Sequence, residues 1–301
     1  MTDFGGAAAE LHEFDEDASP DAEVLTKSLG WTFWICIGWL IVIVLAAILA
    51  PWLPLKDPGK TQINPDLGAP PYSPSGSFWF GTDQNSRDVF SRTIFGARVS
   101  LVVGFVAIAS GMLIGGSLGM IAGYFRGKAD KVISFVFVVL LSFPSLVLAI
   151  LITSLLNRNL TTVAGILGFL AIAPIGRLAR ATTIQFAERE FVLAARTLGA
   201  KHPRIIIREL LPNVIIPMGA LALLGMAIAI VAEGGLAFLS LSVEKEETWG
   251  KLIQLGSGTR DLQKAPWISM GPILVLFMTV LALNYAGDKL RAYFDVREIS
   301  L

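Results

Sequence analysis

Six stretches of this chain carry no charged side chain over a length close to that of a bilayer: Trp31–Ala50, Val99–Gly123, Val132–Leu156, Asn159–Gly176, Leu210–Ala232 and Ala265–Gly287. A helix rises about 1.5 Å per residue, so a hydrocarbon core about 30 Å thick takes about 20 residues. Inside lipid only the chain itself can satisfy a backbone amide, so apolar stretches of this length cross as helices. One such stretch could be a buried helix of a soluble protein, but six in one chain of 301 residues argue against that. The expected fold is therefore all-α, an integral membrane bundle of six transmembrane helices. Composition agrees, with 54% hydrophobic and 16% charged residues, against about 25% charged in soluble domains.

Charge distribution orients the bundle. Lys and Arg gather after the second stretch (Arg126, Lys128, Lys131), after the fourth (Arg177 to Arg208) and after the sixth (Lys289, Arg291, Arg297). With six spans these segments share one side, and the bias of Lys and Arg marks it as cytoplasmic, with both termini. Residues 1–30 hold eight acids and one base, Lys27, and read as an acidic cytoplasmic tail rather than a signal peptide. Pro51–Arg98 and Ser240–Lys264 then lie outside.

Catalytic chemistry finds little to stand on. Cys36 is the only cysteine, and His12 and His202 are far apart, so no metal site is expected. Gly59-Lys60-Thr61 imitates the end of a phosphate-binding loop, but Pro54 stands where the first glycine is required. Gly115-Gly116-Ser117-Leu118-Gly119 spells a hydrolase elbow inside an apolar helix, with no histidine in any span. Net charge is zero and points to no nucleic acid.

Within the spans, Gly111, Gly115, Gly119 and Gly123 recur every four residues and form one smooth helical stripe. Close helix packing is the simpler reading and a pore-lining face the alternative. Pro144, in Ser142-Phe143-Pro144-Ser145, should kink the third span. Glu233 follows the fifth span directly and precedes Phe238. It reads either as a gate or pathway residue or as a structural contact.

The segment from Arg177 to Pro212 is the longest candidate cytoplasmic loop. Phe191–Leu198 reads as a short helix with small residues on one side, stopped by Gly199, and Arg204–Leu211 as a second, basic helix. It is either a solvated basic loop or a helix shaped for a partner's groove.

Here the chain resembles the EAA loop of bacterial ABC-importer permeases: Glu-Ala-Ala, three residues, Gly, nine residues, Ile-x-Leu-Pro. Ala194, Ala195, Gly199, Leu211 and Pro212 match, while Leu193 and Glu209 replace the usual glutamate and isoleucine. Phe80-Gly81-Thr82-Asp83 through Arg92, Gly96-Ala97-Arg98-Val99-Ser100-Leu101, Leu236-Ala237-Phe238-Leu239, Trp249-Gly250, Pro266-Trp267 and Asn284 with Gly287–Arg291 are similar to C-type subunits of dipeptide and oligopeptide permeases. Ser86 stands where that family has glycine, and Phe135 and Val138 where it often has arginine and aspartate.

The resemblance implies a multi-pass permease subunit in a bacterial inner membrane, without catalysis of its own. It would form half of a translocation pathway for peptides, with nickel or another small solute as the alternative cargo. Implied partners are a homologous second permease, two cytoplasmic ATPases carrying ATP and Mg, and an extracytoplasmic substrate-binding protein. No cofactor is expected on this chain itself. Ala194, Ala195, Arg196, Gly199 and Pro212 would couple it to the ATPases. The implied division is a tail at 1–30, the first helix and external loop at 31–98, and a five-helix core at 99–301 with the coupling loop at 188–212. A self-contained secondary transporter is the rival, and would be expected to show paired intramembrane charges or inverted repeats.

Overall fold

A computed structural model describes residues 29–297, so the acidic tail lies outside the described residues. The described chain is helical apart from loops and one isolated bridge, Thr82 with Asp88. α1 (Gly30–Leu49) leads into a long irregular loop with one 3-10 turn. α2 (Val89–Ser110) runs through a π-helical turn, Gly111–Gly116, into α3 (Ser117–Phe125). Next come α4 (Gly127–Leu141), α5 (Ser145–Leu155), α6 (Leu160–Ala187), α7 (Glu190–Thr197) and the single turn α8 (His202–Arg204). A second π-helical turn, Ile205–Leu210, opens into α9 (Leu211–Phe238), followed by α10 (Trp249–Leu255), α11 (Thr259–Lys264) and α12 (Trp267–Arg297).

Five continuous helices are long and apolar enough to cross a membrane: Gly30–Leu49, Val89–Phe125, Leu160–Ala187, His202–Phe238 and Trp267–Phe294. The pair α4 and α5 is long and apolar enough only when taken together, and its 79° bend makes it either a broken sixth span or a re-entrant loop. The expected kink in the third span is thus a full break. Pro144 has no N–H to donate and disfavours helical backbone in the residue before it, so the helix stops at Leu141 and restarts at Ser145.

Two other expectations need correcting. The helix of the second crossing begins at Val89, ten residues before the uncharged stretch, so a boundary at 98/99 would cut a helix. Asp88 opens it as an N-cap, accepting from Ser91 N–H at 2.8 Å. Arg177–Pro212 is not one loop, because α6 carries Arg177 and Arg180 to Ala187 and the fifth crossing starts at His202. Charge ends an apolar stretch without ending a helix. Pro203 sits in the first turn of that next helix, where a missing N–H costs nothing.

α6 is the hub. It packs against α2, α3, α4, α5 and α9, while α12 packs on α9 and α1. The glycine stripe lies against α6. A Cβ on Gly115 would sit 2.2 Å from the Ile172 carbonyl oxygen, and one on Gly119 2.2 Å from that of Gly176. Gly123 meets the Arg180 carbonyl at 2.8 Å in the same sense. On its other side, Gly176 leaves room for the Phe137 ring of α4, 2.2 Å from where its own Cβ would be.

The loop before α2 is stapled to the turn before α10. Asp83 is buried and accepts from the N–H groups of Asn85 and Arg87 at 2.9 and 2.8 Å. Arg92 bridges Asp83 (2.5 Å) and Glu247 (2.8 Å) at 5% exposure. Breaking such a buried pair costs about 3–5 kcal/mol, because the remaining charge is left unpaired. Gly81 adopts φ +68°, and the space of its missing Cβ is taken by the Trp267 ring and the Tyr72 carbonyl. Ser86 holds φ +56°, the left-handed conformation that glycine adopts most easily.

The α3–α6 contact makes a paired prediction. Gly115→Ala should lower the thermal stability of the purified protein by about 1–3 kcal/mol through overpacking. Gly116→Ala, whose added Cβ would meet nothing within 4 Å, should leave it within about 0.5 kcal/mol. Equal melting temperatures for the two variants in detergent would show that the stripe does not pack as described.

Candidate coupling surface and transport path

The basic face is built on α7. Arg189 stands before its first turn in extended backbone, and Gly199 closes it at φ +77°. Gly199 N–H donates to the Arg196 carbonyl (2.9 Å) and Ala200 N–H to that of Ala195 (3.0 Å), a Schellman ending that needs the left-handed residue glycine provides. Val192 is fully buried with Tyr124, Ala187, Ile205 and Leu210, so α7 is seated on α3, α6 and the start of the fifth crossing.

That seat divides the expected coupling residues. Ala195 is partly packed against the Val192 cluster, whereas Ala194, Arg196, Gly199 and Pro212 are exposed. Leu193 is 51% and Leu198 88% exposed, so the outer side of α7 is apolar at its tip. Arg196 lies over the Tyr124 ring at 5.1 Å, and Tyr124 Oη pairs with His202 Nδ1 at 2.8 Å. Arg180 forks onto Asp130, with Nη2 to Oδ2 at 2.7 Å, and Arg126 meets Glu188 at 2.6 Å. These contacts tie α4, α6 and the α3–α4 turn around α7. Sequence reading missed them because the partners stand 50 to 78 residues apart.

Deeper in the bundle, α5, α6 and α9 surround a cavity of about 450 Å³. Its wall is almost wholly apolar, with Leu146 and Ala149 from α5, Leu167 and Ala171 from α6, and Gly225 and Ile228 from α9. Of the three expected gate or pathway residues, none lines it. Pro144 is exposed at the break, next to the lining residue Ser145, and Phe238 is exposed at the end of α9. Glu233 is 1% exposed and packed between α9 and α2. Its carboxylate accepts from Ser242 Oγ and, at 3.5 Å, from Ser100 Oγ, which itself accepts from Trp249 N–H at 3.2 Å. This is the environment of a structural contact. The Trp249 indole donates to the Thr93 carbonyl at 2.9 Å and completes the same cluster.

Gly59 sits in a turn closed by Asp57, with no helix following it. Ser117 is mid-helix and donates its hydroxyl to the Leu113 carbonyl. Among the described residues no three His, Cys, Asp or Glu side chains are placed to share a metal ion.

Comparison with known proteins follows the same lines. A family model described as "Binding-protein-dependent transport system inner membrane component" matches residues 115–299. The dipeptide transport system permease protein DppC of Alkalihalophilus pseudofirmus is 37% identical over 262 residues, 86% of this chain and 84% of that protein. The glutathione transport system permease protein GsiD of Pectobacterium atrosepticum is 32% identical over 257 residues, 85% of this chain and 84% of its own length. Among solved structures, a chain of the MetNI methionine ABC transporter in an inward-facing conformation superposes with a TM-score of 0.53. It is 17% identical, and the match covers 67% of this chain and 96% of that one. At that identity the likeness concerns the fold.

Glu233 separates structure from transport. Glu233→Ala strips the hydroxyls of Ser100 and Ser242 of their acceptor and should cost about 1–3 kcal/mol per buried group left unpaired. Glu233→Gln keeps an acceptor and should melt close to the wild type. Thermal melting of both purified variants checks this, and equal stability of all three proteins would count against a structural role for Glu233.

Proposed function

This chain belongs to the family of binding-protein-dependent transport system inner membrane components, and on that premise we propose that it carries peptides as one permease subunit of an ATP-binding-cassette importer. The observation that carries the reading is α7, a short helix seated by Val192 and presenting Ala194, Leu193 and Leu198 outward on the basic face. Its partners are a homologous permease that supplies the other half of the pathway, two ATPases on the basic side and a substrate-binding protein on the other. ATP and Mg sit on the ATPases, and this chain contributes no catalytic group. Relatives named for dipeptide, glutathione and peptide transport favour a peptide cargo.

The mechanical logic is local. A helix held by one buried cluster can be pushed as a unit, and α7 rests on α3 and α6, which are locked together through glycines. Closure of the ATPases would load α7 and shift the bundle between two packed states. Ala194 and Leu198 are the contact surface in this reading. Ala195 and Gly199 set the seat and the turn that present it.

Two experiments test the reading. In a Cys36→Ser background, a cysteine at Lys201 should resist a membrane-impermeant maleimide in intact cells and react in inverted vesicles, because the basic face is cytoplasmic. Strong labelling in intact cells refutes that orientation. Ala194→Asp and Gly199→Trp should insert normally, since insertion depends on the apolar spans. At matched protein levels they should lose at least ten-fold in peptide uptake or fail to retain ATPases on purification. Wild-type uptake with bound ATPases in both variants would remove α7 as the coupling element.

A further inference from the structure

α5 is loosely anchored in the bundle. Its 11 residues extend about 16 Å, half a bilayer. It begins at the break after Ser142-Phe143-Pro144, where the chain turns by 79°. Only Ala149 and Thr153 of α5 are buried. One of its sides forms a wall of the 450 Å³ apolar cavity, which is open on one side.

At its far end α5 runs into the short turn that carries Arg158. This guanidinium does three things at once. Its Nε and Nη2 donate to a single Glu244 carboxylate oxygen, the former at 2.9 Å, and its Nη1 donates to the Ser240 carbonyl. The Arg158 carbonyl in turn accepts from Glu244 N–H at 2.8 Å. Ser240 holds φ +60° in the Schellman ending of α9, so Arg158 places a cation at the carbonyl end of that helix.

The segment that receives Arg158 does not share this freedom. Ser242 is bound to Glu233, Glu247 to the buried Arg92, and the Lys251 ammonium to the carbonyls of Glu244 and Glu246 at 2.8 and 2.9 Å. Arg92 is 5% exposed, whereas Arg158 and Glu244 are 31% and 56% exposed. Exposed pairs are weak and can open and reclose; buried ones hold. The linker therefore acts as a post, and Arg158 as a contact that can be released from it.

We infer that α5 is a flap hinged at Ser142-Phe143-Pro144, and that Arg158 with Glu244 is the clasp holding it over the cavity on the face opposite α7. Releasing the clasp lets α5 swing from the post and admits water to the cavity from that face. The inference rests on the hinge, the cavity and the clasp, and on neither the cargo nor the ATPases.

A cysteine at Leu167, a cavity-lining position on α6 that is 7% exposed, reports the opening. The full-length protein in native membranes carries Cys36→Ser and Leu167→Cys, and the rate of reaction with N-ethylmaleimide is measured. That reaction needs the thiolate, and so needs water in the cavity. Arg158→Ala and Glu244→Gln should each raise the rate about five-fold, the scale of one exposed ion pair. The double variant should react no faster than the quicker single one, because both changes open the same clasp. Ala107→Cys, fully buried on α2, should stay unreactive throughout. Unchanged rates at Leu167→Cys in both single variants overturn the clasp, as does a double variant whose rate is the product of the singles. A parallel rise at Ala107→Cys would mean general loosening and would overturn it equally. Glu244→Gln is a surface change, so the test survives poor folding of Arg158→Ala.

Discussion

Within lipid, helices gain nothing by hiding apolar side chains from one another, since the solvent is as apolar as they are. Close van der Waals approach must do the joining, and in this bundle it is concentrated where α3 crosses α6. The carbonyls of Ile172 and Gly176 occupy the places where Cβ atoms of Gly115 and Gly119 would stand. Gly176 is bare on both sides, toward α3 and toward the Phe137 ring of α4. Three helices thus meet at one glycine, and the seat of α7 and the Asp130–Arg180 fork are both built on the registration set there.

Polar interactions follow a different rule at each depth. On the face opposite α7, Asp83 and Arg92 are buried and fully engaged with backbone and partner groups, apart from Arg92 Nε. Such a site holds one geometry, because every alternative leaves a charge unpaired. Arg158 and Glu244 lie nearer solvent, where water can take the place of either partner. The same linker meets both kinds of contact, three residues apart at Glu247 and Glu244. On the basic face, α7 combines the two. Its inner side is held by Val192, and its outer side ends in the exposed Leu198.

Family motifs acquire physical meaning in these contacts. Gly81 is needed because Trp267 fills its side-chain space, and Asp83 because it gathers two backbone amides and two guanidinium groups. Gly250 packs against Gly234 and Ala237, just beyond Glu233. The departures are readable in the same terms. Ser86 tolerates a left-handed backbone that a glycine would adopt without strain. Phe135 and Val138, at 68% and 56% exposure, present an apolar face on α4 where the family often carries charge.

Hydropathy alone determined that this chain crosses a membrane repeatedly as helices, because an apolar stretch in lipid has no other way to satisfy its backbone. Residue identity also marked the glycine stripe, a kink at Pro144 and the stop at Gly199, each a local property of the residue and its neighbours. Hydropathy misjudges where a helix ends, since charge limits the membrane and not the helix, and so assigns Arg177–Ala187 to a loop. Which helix the stripe faces, which alanine of the Ala194-Ala195 pair points inward and which hydroxyls Glu233 meets were decided only by the tertiary structure. So were the pairings of Arg92 with Glu247 and Arg158 with Glu244, 155 and 86 residues apart. The reason is physical: an ion pair or a close packing contact depends on separations of a few ångströms between distant segments, and those separations exist only once the bundle has closed.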